Sequence, residues 1–510
     1  MKKAIAIMML LCILGTALCI GTSALTVSSD DVIRIYGLKK NRSTVLLDGS
    51  GSFEDGWEMA VDYAEDHSYM DENGYERIVV DLLADWNANE YGEFGSSRGD
   101  GFQYSTIYVP SDTRITINMN GHTINRGLRE YEYDGEVICI NDNADVIING
   151  GKSGDPIIQI GEDANGVKMG TITGGWSCNG AGGIHMQDGS KLTLNNVNVD
   201  GNCVEDDDGA GIAVYDGATL TMNGGSVSRN TSYSSSLTVY GGGVYIDEAS
   251  AYFTDVTFQD NQGIGRSTHG AVVYVNDGTL VMDRCKVVGN GLNVADDGTA
   301  RRVAYSIMDI SRGSKVTLKE TQFLENGDAA EIHFVSNTLK YTTIISSTAS
   351  YLTMEKCKFN NNYQVYLIES DATILKAKDS DFTENHSFAF YGNCAGEFSS
   401  TFINCRFSYN EPMLNLDDTF FFNIFNAGLS FVDCDFGGAT FHNPDAVTFL
   451  NSNGEPDGAG SIFSEGSLTM IVASLALVAS AVSICLTVAY HKKKAVPMFA
   501  NGAAESDDEE

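Results

Sequence analysis

Leu192-Thr193-Leu194-Asn195-Asn196-Val197-Asn198-Val199-Asp200-Gly201-Asn202 is the stretch whose reading decides the fold. Apolar residues stand at 192, 194, 197 and 199, and an asparagine closes the unit at 202. The same offsets return as Leu220, Met222, Gly225, Val227, Asn230 and as Ala251, Phe253, Val256, Phe258, Asn261. Further copies are Leu280, Met282, Cys285, Val287, Asn290 and Val316, Leu318, Thr321, Phe323, Asn326. Leu352, Met354, Cys357, Phe359, Asn362 and Leu375, Ala377, Ser380, Phe382, Asn385 follow. A weaker copy has Phe402, Cys405, Phe407 and Asn410; the last has Leu429, Phe431, Cys434 and Phe436 without the asparagine.

Alternation of apolar and polar residues over a few positions marks half-buried strands, and the Gly, Asn and Asp between them mark turns. Successive unit asparagines lie 23 to 36 residues apart. That variable period excludes helical-pair repeats of fixed length and a regular propeller. It fits a solenoid with constant short strands and variable loops. One unit cannot bury its own apolar face. Stacking units at about 4.8 Å gives a continuous core and a rod of roughly 40–45 Å for the nine copies. Asn202, Asn230, Asn261, Asn290, Asn326, Asn362, Asn385 and Asn410 are expected to take the left-handed turn conformation and to form an amide ladder from coil to coil.

The two ends read differently. Lys2 and Lys3, the apolar run 4–20 and Thr22-Ser23-Ala24 form a secretory signal, expected to be cleaved near Ala24. An uncleaved anchor is the alternative, disfavoured because the run is short for a span. Residues 468–490 are 23 positions without a charge, roughly 34 Å of helix and enough to cross a hydrocarbon core. His491-Lys492-Lys493-Lys494 follows and keeps the C-terminus cytoplasmic, with the N-terminal bulk outside. The expected plan is signal peptide 1–24, cap region 25–105, β-helix 106–450, polar linker 451–467, transmembrane helix 468–490 and tail 491–510. Phe53, Trp57, Ala60, Val61 and Ala64 share one helical face, so an amphipathic helix near 54–67 is expected to cover the open end of the solenoid. Strands are expected over 77–86 and twice within 107–124, and 420–462 is expected to close the far end.

The chain carries 68 acidic and 32 basic residues, net −36. The signal and tail are balanced, so the excess belongs to the region between them. Such a surface disfavours nucleic acid and anionic lipid, and suits cations, basic proteins or neutral glycans. Solubility alone accounts for it equally well. Eight cysteines (139, 178, 203, 285, 357, 394, 405 and 434) lie between the ends. No CxxC spacing occurs among them, which speaks against a zinc site. Cys285, Cys357, Cys405 and Cys434 share the fifth offset and are expected inside, as small apolar groups. Cys405 and Cys434 fall in adjacent coils, close enough to admit a disulfide, though buried thiols are the favoured state.

The glycine motif before the next strand reads Gly182-Gly183-Ile184, Gly242-Gly243-Val244 and Gly270-Ala271-Val272. FxxN occurs at Phe258–Asn261, Phe323–Asn326, Phe359–Asn362, Phe382–Asn385 and Phe407–Asn410. With these motifs the chain resembles, over about residues 105–440, right-handed parallel β-helix proteins of the pectin-lyase-like superfamily. Its repeats are similar to those of bacterial surface adhesins, including chlamydial polymorphic membrane protein passengers. The resemblance implies an all-β, right-handed single-stranded parallel β-helix and a surface role. Those passengers end in an outer-membrane β-barrel, whereas this chain ends in a helix candidate, which points to a single-membrane prokaryote.

Many such folds cleave acidic polysaccharides with Ca²⁺-binding acids and a base, or with paired carboxylates. The polygalacturonase-type motifs of the family do not occur in order, so enzymatic activity is left open and no catalytic residue is assigned. Glu205, Asp206, Asp207 and Asp208 are the densest acid cluster, read as a solvated turn or a Ca²⁺ site. No other cofactor is expected. In the strand after the glycine motif, His185, Gln187, Tyr215, Tyr245, Asp247, Tyr274 and Asn276 are expected to point outward. Tyrosines there can stack on sugar rings, or simply reflect β propensity. The expected role is a cell-surface adhesin or interaction rod for an extracellular glycan or protein. A polysaccharide lyase or hydrolase and a structural envelope spacer are the alternatives, with oligomeric state open.

Overall fold

The computed structural model describes residues 28–453, except 88–106, 129–130, 132, 152–168, 235–237, 265–266, 292–305, 328–342, 364–365, 387, 394–398, 408–421, 425–428, 437–440, 443–446 and 452. The expected signal peptide, the transmembrane segment 468–490, the tail, Cys394 and Asn410 lie outside these residues. Among the described residues, no helix is long and apolar enough to cross a membrane.

The coil that begins at Val244 shows the plan. Val244–Asp247, Ser250–Thr254, Thr257–Gln259 and Gln262–Ile264 are strands separated by two-residue bends, the first residue of each (Glu248, Asp255, Asp260) left-handed. The first three pair in parallel with the equivalent strands of the next coil, and Gln262–Ile264 pairs with that of the coil before. Ala251 faces Leu280, Phe253 faces Met282 and Phe258 faces Val287, so the offsets of the repeat become a register. Three sheets of the coil wall result, of 23, 12 and 4 strands. The unit positions point inward and are buried, apart from Cys434 and Phe436 of the last copy, which are partly buried. Aliphatic residues fill the early coils. Later ones stack phenylalanines: Phe323–Phe359, Phe359–Phe382 and Phe382–Phe407 have ring centroids 4.6, 4.8 and 4.9 Å apart. Each such pair contributes about 0.5–1.5 kcal/mol beyond its buried area.

The asparagines line up along the interior. Asn230 Oδ1 accepts from the backbone N and the Nδ2 of Asn202, at 3.0 and 3.1 Å. Asn261, Asn290, Asn326, Asn362 and Asn385 repeat this, each accepting from the asparagine one coil earlier. The left-handed conformation, however, is not theirs. It belongs to the preceding residue: Gly201, Arg229, Asp260, Gly289, Glu325, Asn361 and Glu384 have φ between +53° and +66°. The bend residue reverses the chain with its own side chain outward. The residue after it is thereby aimed inward, where an amide spans the step between coils. A second line of left-handed bends (Asp255, Arg284, Glu320, Lys356, Asp379, Asn404, Asp433) precedes the fifth offset.

The N-terminal region begins with β1 (Ile33–Lys39), β2 (Thr44–Ser50) and β3 (Tyr75–Leu82). β1 pairs antiparallel with both others, and β3 then pairs in parallel with Arg114–Asn118. The β1–β2 hairpin was not visible in the sequence. Helix α1 (Phe53–Glu65) is capped by Ser52 and buries Trp57, Ala60 and Ala64; Val61 is partly buried against the core. Trp57 Nε1 donates to the carbonyl of Tyr108 at 3.2 Å, and Phe53 stacks on Trp86 at 5.1 Å. Asp66 ends α1 and caps a second, short helix α2 (His67–Asn73), so the expected single helix over 54–67 divides there.

Candidate functional site

The twelve-stranded sheet carries the candidate surface. Ile184/Met186, Ile212/Val214, Val244/Ile246, Val273/Val275 and Met308/Ile310 point into the core and are fully buried. The residue between each pair points out. Parallel register therefore makes a row: Cys139, His185, Ala213, Tyr245, Tyr274, Asp309, Ser346, Glu369, Tyr391. Two residues on, Asp247, Asn276 and Ser311 form a second row.

Ring follows ring along this face. His185 lies against Tyr215 at 5.2 Å, Tyr215 against Tyr245 at 5.6 Å, and Tyr245 is stacked on Tyr274 at 5.5 Å. Tyr240 and His269 join them, Tyr240 lying 4.6 Å from Tyr274 and 5.5 Å from His269. These two were not among the sequence candidates. They come from Thr238–Tyr240 and Ser267–His269, a two-stranded sheet in the return loops. The loops fold back over the sheet, so the tyrosines are half-buried and Asn276 and Asp309 buried, where the sequence suggested open solvent-facing positions. Ala213 is buried too, with Gly209 of its own coil close against it.

The polar groups interlock. Tyr245 Oη donates to Asp247 Oδ2 at 3.4 Å, and Asn276 Nδ2 to Asp247 Oδ1 at 2.5 Å. Ser311 Oγ donates to Tyr274 Oη and to Asn276 Oδ1, both at 3.2 Å. Asp309 Oδ2 accepts from Ser306 Oγ at 3.0 Å and lies 2.8 Å from His269 Nδ1. Burial, then the charges of Asp309 and Asp371, push Glu369 up to about 7. Burial and nearby carboxylates likewise drive the Tyr215 and Tyr245 hydroxyls far above their usual range, so both stay protonated.

The acid loop does not converge. Asp206 accepts from Ser234 Oγ, Asp207 from the backbone N of Gly180, and Asp208 from the backbone N of Tyr240. Burial pushes Asp208 up to about 7. Glu205 ends the strand Cys203–Glu205. Asp207 instead meets His185, Gln187 and Tyr215 around a cleft of about 280 Å³ that Asn179 and Gly180 also line. Two groups of sequence candidates thus share one depression. Among the described residues, one set of three His, Cys, Asp or Glu brings its ligand atoms together: Glu136, Cys139 and His185. Burial holds His185 below the usual imidazole range, against the charges of Asp207 and Asp134.

The other cysteines among the described residues are free thiols. Cys405 and Cys434 adjoin, the backbone N of Cys405 lying 3.4 Å from Cys434 Sγ, without a disulfide. Of the glycosylation-type sequons, Asn230 and Asn385 are buried in the ladder, while Asn41 sits exposed in the β1–β2 turn. Residues 242–453 match the family model described as the right handed beta helix region. Neither the curated proteins nor the solved structures provide a match.

Proposed function

For a chain that is a right-handed parallel β-helix repeat protein, we propose the role of a cell-surface interaction rod whose twelve-stranded face binds a neutral extracellular glycan. The line of ring contacts Tyr215, Tyr245 and Tyr274, one from each of three successive coils and flanked by Asp247 and Asn276, carries this reading. It offers one ring per coil, at a rise of about 4.8 Å, close to the length of one pyranose unit. Hydroxyls and amides beside the rings match sugar hydroxyls, and the surrounding carboxylates repel polyanions. The signal-like N-terminus and the uncharged segment 468–490 support an anchored ectodomain outside the cell, with a cytoplasmic C-terminus. In this reading α1 and β1–β3 cap the first coil, where a bare end would expose core and strand edges.

Binding of the full-length chain to a panel of neutral oligosaccharides tests the proposal. Tyr245→Ala and Tyr274→Ala should each weaken binding about 10-fold, the loss of one stacking contact. A wild-type chain that binds no saccharide sinks the reading.

One observation favours a second reading, glycoside hydrolysis. Asp309 and Glu369 stand on the same row two coils apart, with Ser346 between. Two steps separate their backbones by about 9–10 Å, and glycoside hydrolysis uses a pair of carboxylates on either side of the scissile bond. A raised Glu369 is suited to the acid and Asp309 to the base. Release of reducing ends that disappears in Glu369→Gln would establish it.

A further inference from the structure

We propose that Glu136, Cys139 and His185 form a binding site for a borderline-soft divalent cation, Zn²⁺ by its chemistry. Nothing in the spacing of these residues suggests a metal site. The fold assembles it. Cys139 sits between the inward Ile138 and Ile140, and His185 between the inward Ile184 and Met186, so both side chains leave the sheet on its outer side. The two strands are hydrogen-bonded neighbours, and Cys139 and His185 are direct partners in register. Glu136 approaches on the chain just before Cys139. The carboxylate oxygen, sulfur and imidazole nitrogen all lie within 4.8 Å of one another.

The donor set selects the ion. One sulfur, one nitrogen and one oxygen suit Zn²⁺, whereas Ca²⁺ and Mg²⁺ take oxygen ligands. Glu136 and Cys139 are 4% and 6% exposed, which shields the bound ion on that side. His185 lines the cleft with Asp207, Gln187 and Tyr215, so the fourth position faces solvent and a ligand can enter.

The surroundings also fit a metal-bound thiolate. Gln187 Nε2 points at Cys139 Sγ from 3.9 Å. Asn141 is 4% exposed, holds Oδ1 4.0 Å from the same sulfur, and its buried Nδ2 has no acceptor. Turning that amide over, an exchange of oxygen and nitrogen, presents Nδ2 to a thiolate as a second donor. Gly180, at φ +86°, makes room for the imidazole: a Cβ there would stand 2.2 Å from His185 Nδ1. Binding releases the Cys139 proton to solvent.

The test is a titration of the metal-stripped full-length chain with Co²⁺ alone. One equivalent should produce a thiolate-to-cobalt charge-transfer band in the near ultraviolet, which Zn²⁺ bleaches and excess Ca²⁺ leaves unchanged. Cys139→Ser should abolish the band, and Cys285→Ser should keep it. His185→Gln and Glu136→Gln should lower affinity by at least about 100-fold, and Gln187→Leu by about 10–100-fold. Should Cys139→Ser fail to fold, the band of the native chain and its loss in His185→Gln decide the matter. A native chain without the band, or a band that survives in folded Cys139→Ser, overturns the proposal.

Discussion

Asn261 holds Asn230 by two bonds at once: its Oδ1 accepts from the backbone N of Asn230 at 3.2 Å and from Asn230 Nδ2 at 3.1 Å. Its own Nδ2 donates to the carbonyl of Val227 at 2.8 Å and to Asn290 Oδ1 at 3.1 Å. Every hydrogen-bonding site of this amide is used in a fully buried position. Asn261→Ala leaves the backbone N of Asn230 and the Val227 carbonyl buried without these partners, each a penalty of about 1–3 kcal/mol. The variant should lose about 3–5 kcal/mol in urea unfolding. Hydrogen exchange should quicken first in the coils on either side. A loss under 1 kcal/mol would mean that the ladder is incidental.

Ala349 occupies a left-handed bend at φ +49°. An L-residue with a Cβ costs about 1–2 kcal/mol there, and glycine does not. Part of that gain returns to the more flexible unfolded chain. Ala349→Gly should therefore stabilise by up to about 1 kcal/mol, whereas Ala349→Val should destabilise by more than that. Thermal unfolding of the two variants gives opposite signs if the bend is as described.

Glu369 makes stability depend on pH. Its carboxyl is pushed up from an ordinary 4.5 to about 7 by burial, and Asp309 and Asp371 add to the rise while His269 opposes it. Between those two values the folded chain holds the proton more firmly than the unfolded one. Stability from this group is fully present below about 4.5 and is lost as pH rises to about 7. The melting temperature should fall over that window, and Glu369→Gln should shallow the fall. An equal slope in the variant would remove Glu369 as its cause.

Cys285 and Cys357 are about 1% exposed, and burial pushes both thiols up to about 12. Neither should react with a thiol reagent in the folded chain at neutral pH. Both should react once urea unfolds it. Labelling at full rate under native conditions would contradict their place in the core.

Gly211 explains why two motifs travel together. A Cβ on it would lie 2.5 Å from the Gly243 carbonyl oxygen and 3.0 Å from Asn230 Nδ2. Gly183 stands in the same relation to Asn202. In these coils the missing Cβ is thus the space that the ladder amide occupies. Both motifs could be read from the chain, because each is a local pattern repeated often enough to stand out. Their contact could not, since it joins residues about twenty apart across a coil.

Strand alternation, bend residues and the recurring asparagine are properties of a few neighbouring residues, so the sequence by itself determined the β-helix, its inward positions and the ladder from Asn202 to Asn385. The helical face of Trp57, Ala60 and Ala64 was legible for the same reason. Tertiary structure alone decided which side chains meet across coils, because register converts distant positions into neighbours and loop lengths vary between them. It turned left-handedness over to the residue before each asparagine. It laid Tyr240 and His269 over the tyrosine row. It brought Cys139 and His185, forty-six positions apart, side by side. Short-range spacing carries no record of such pairs; they exist only once one coil has settled on another.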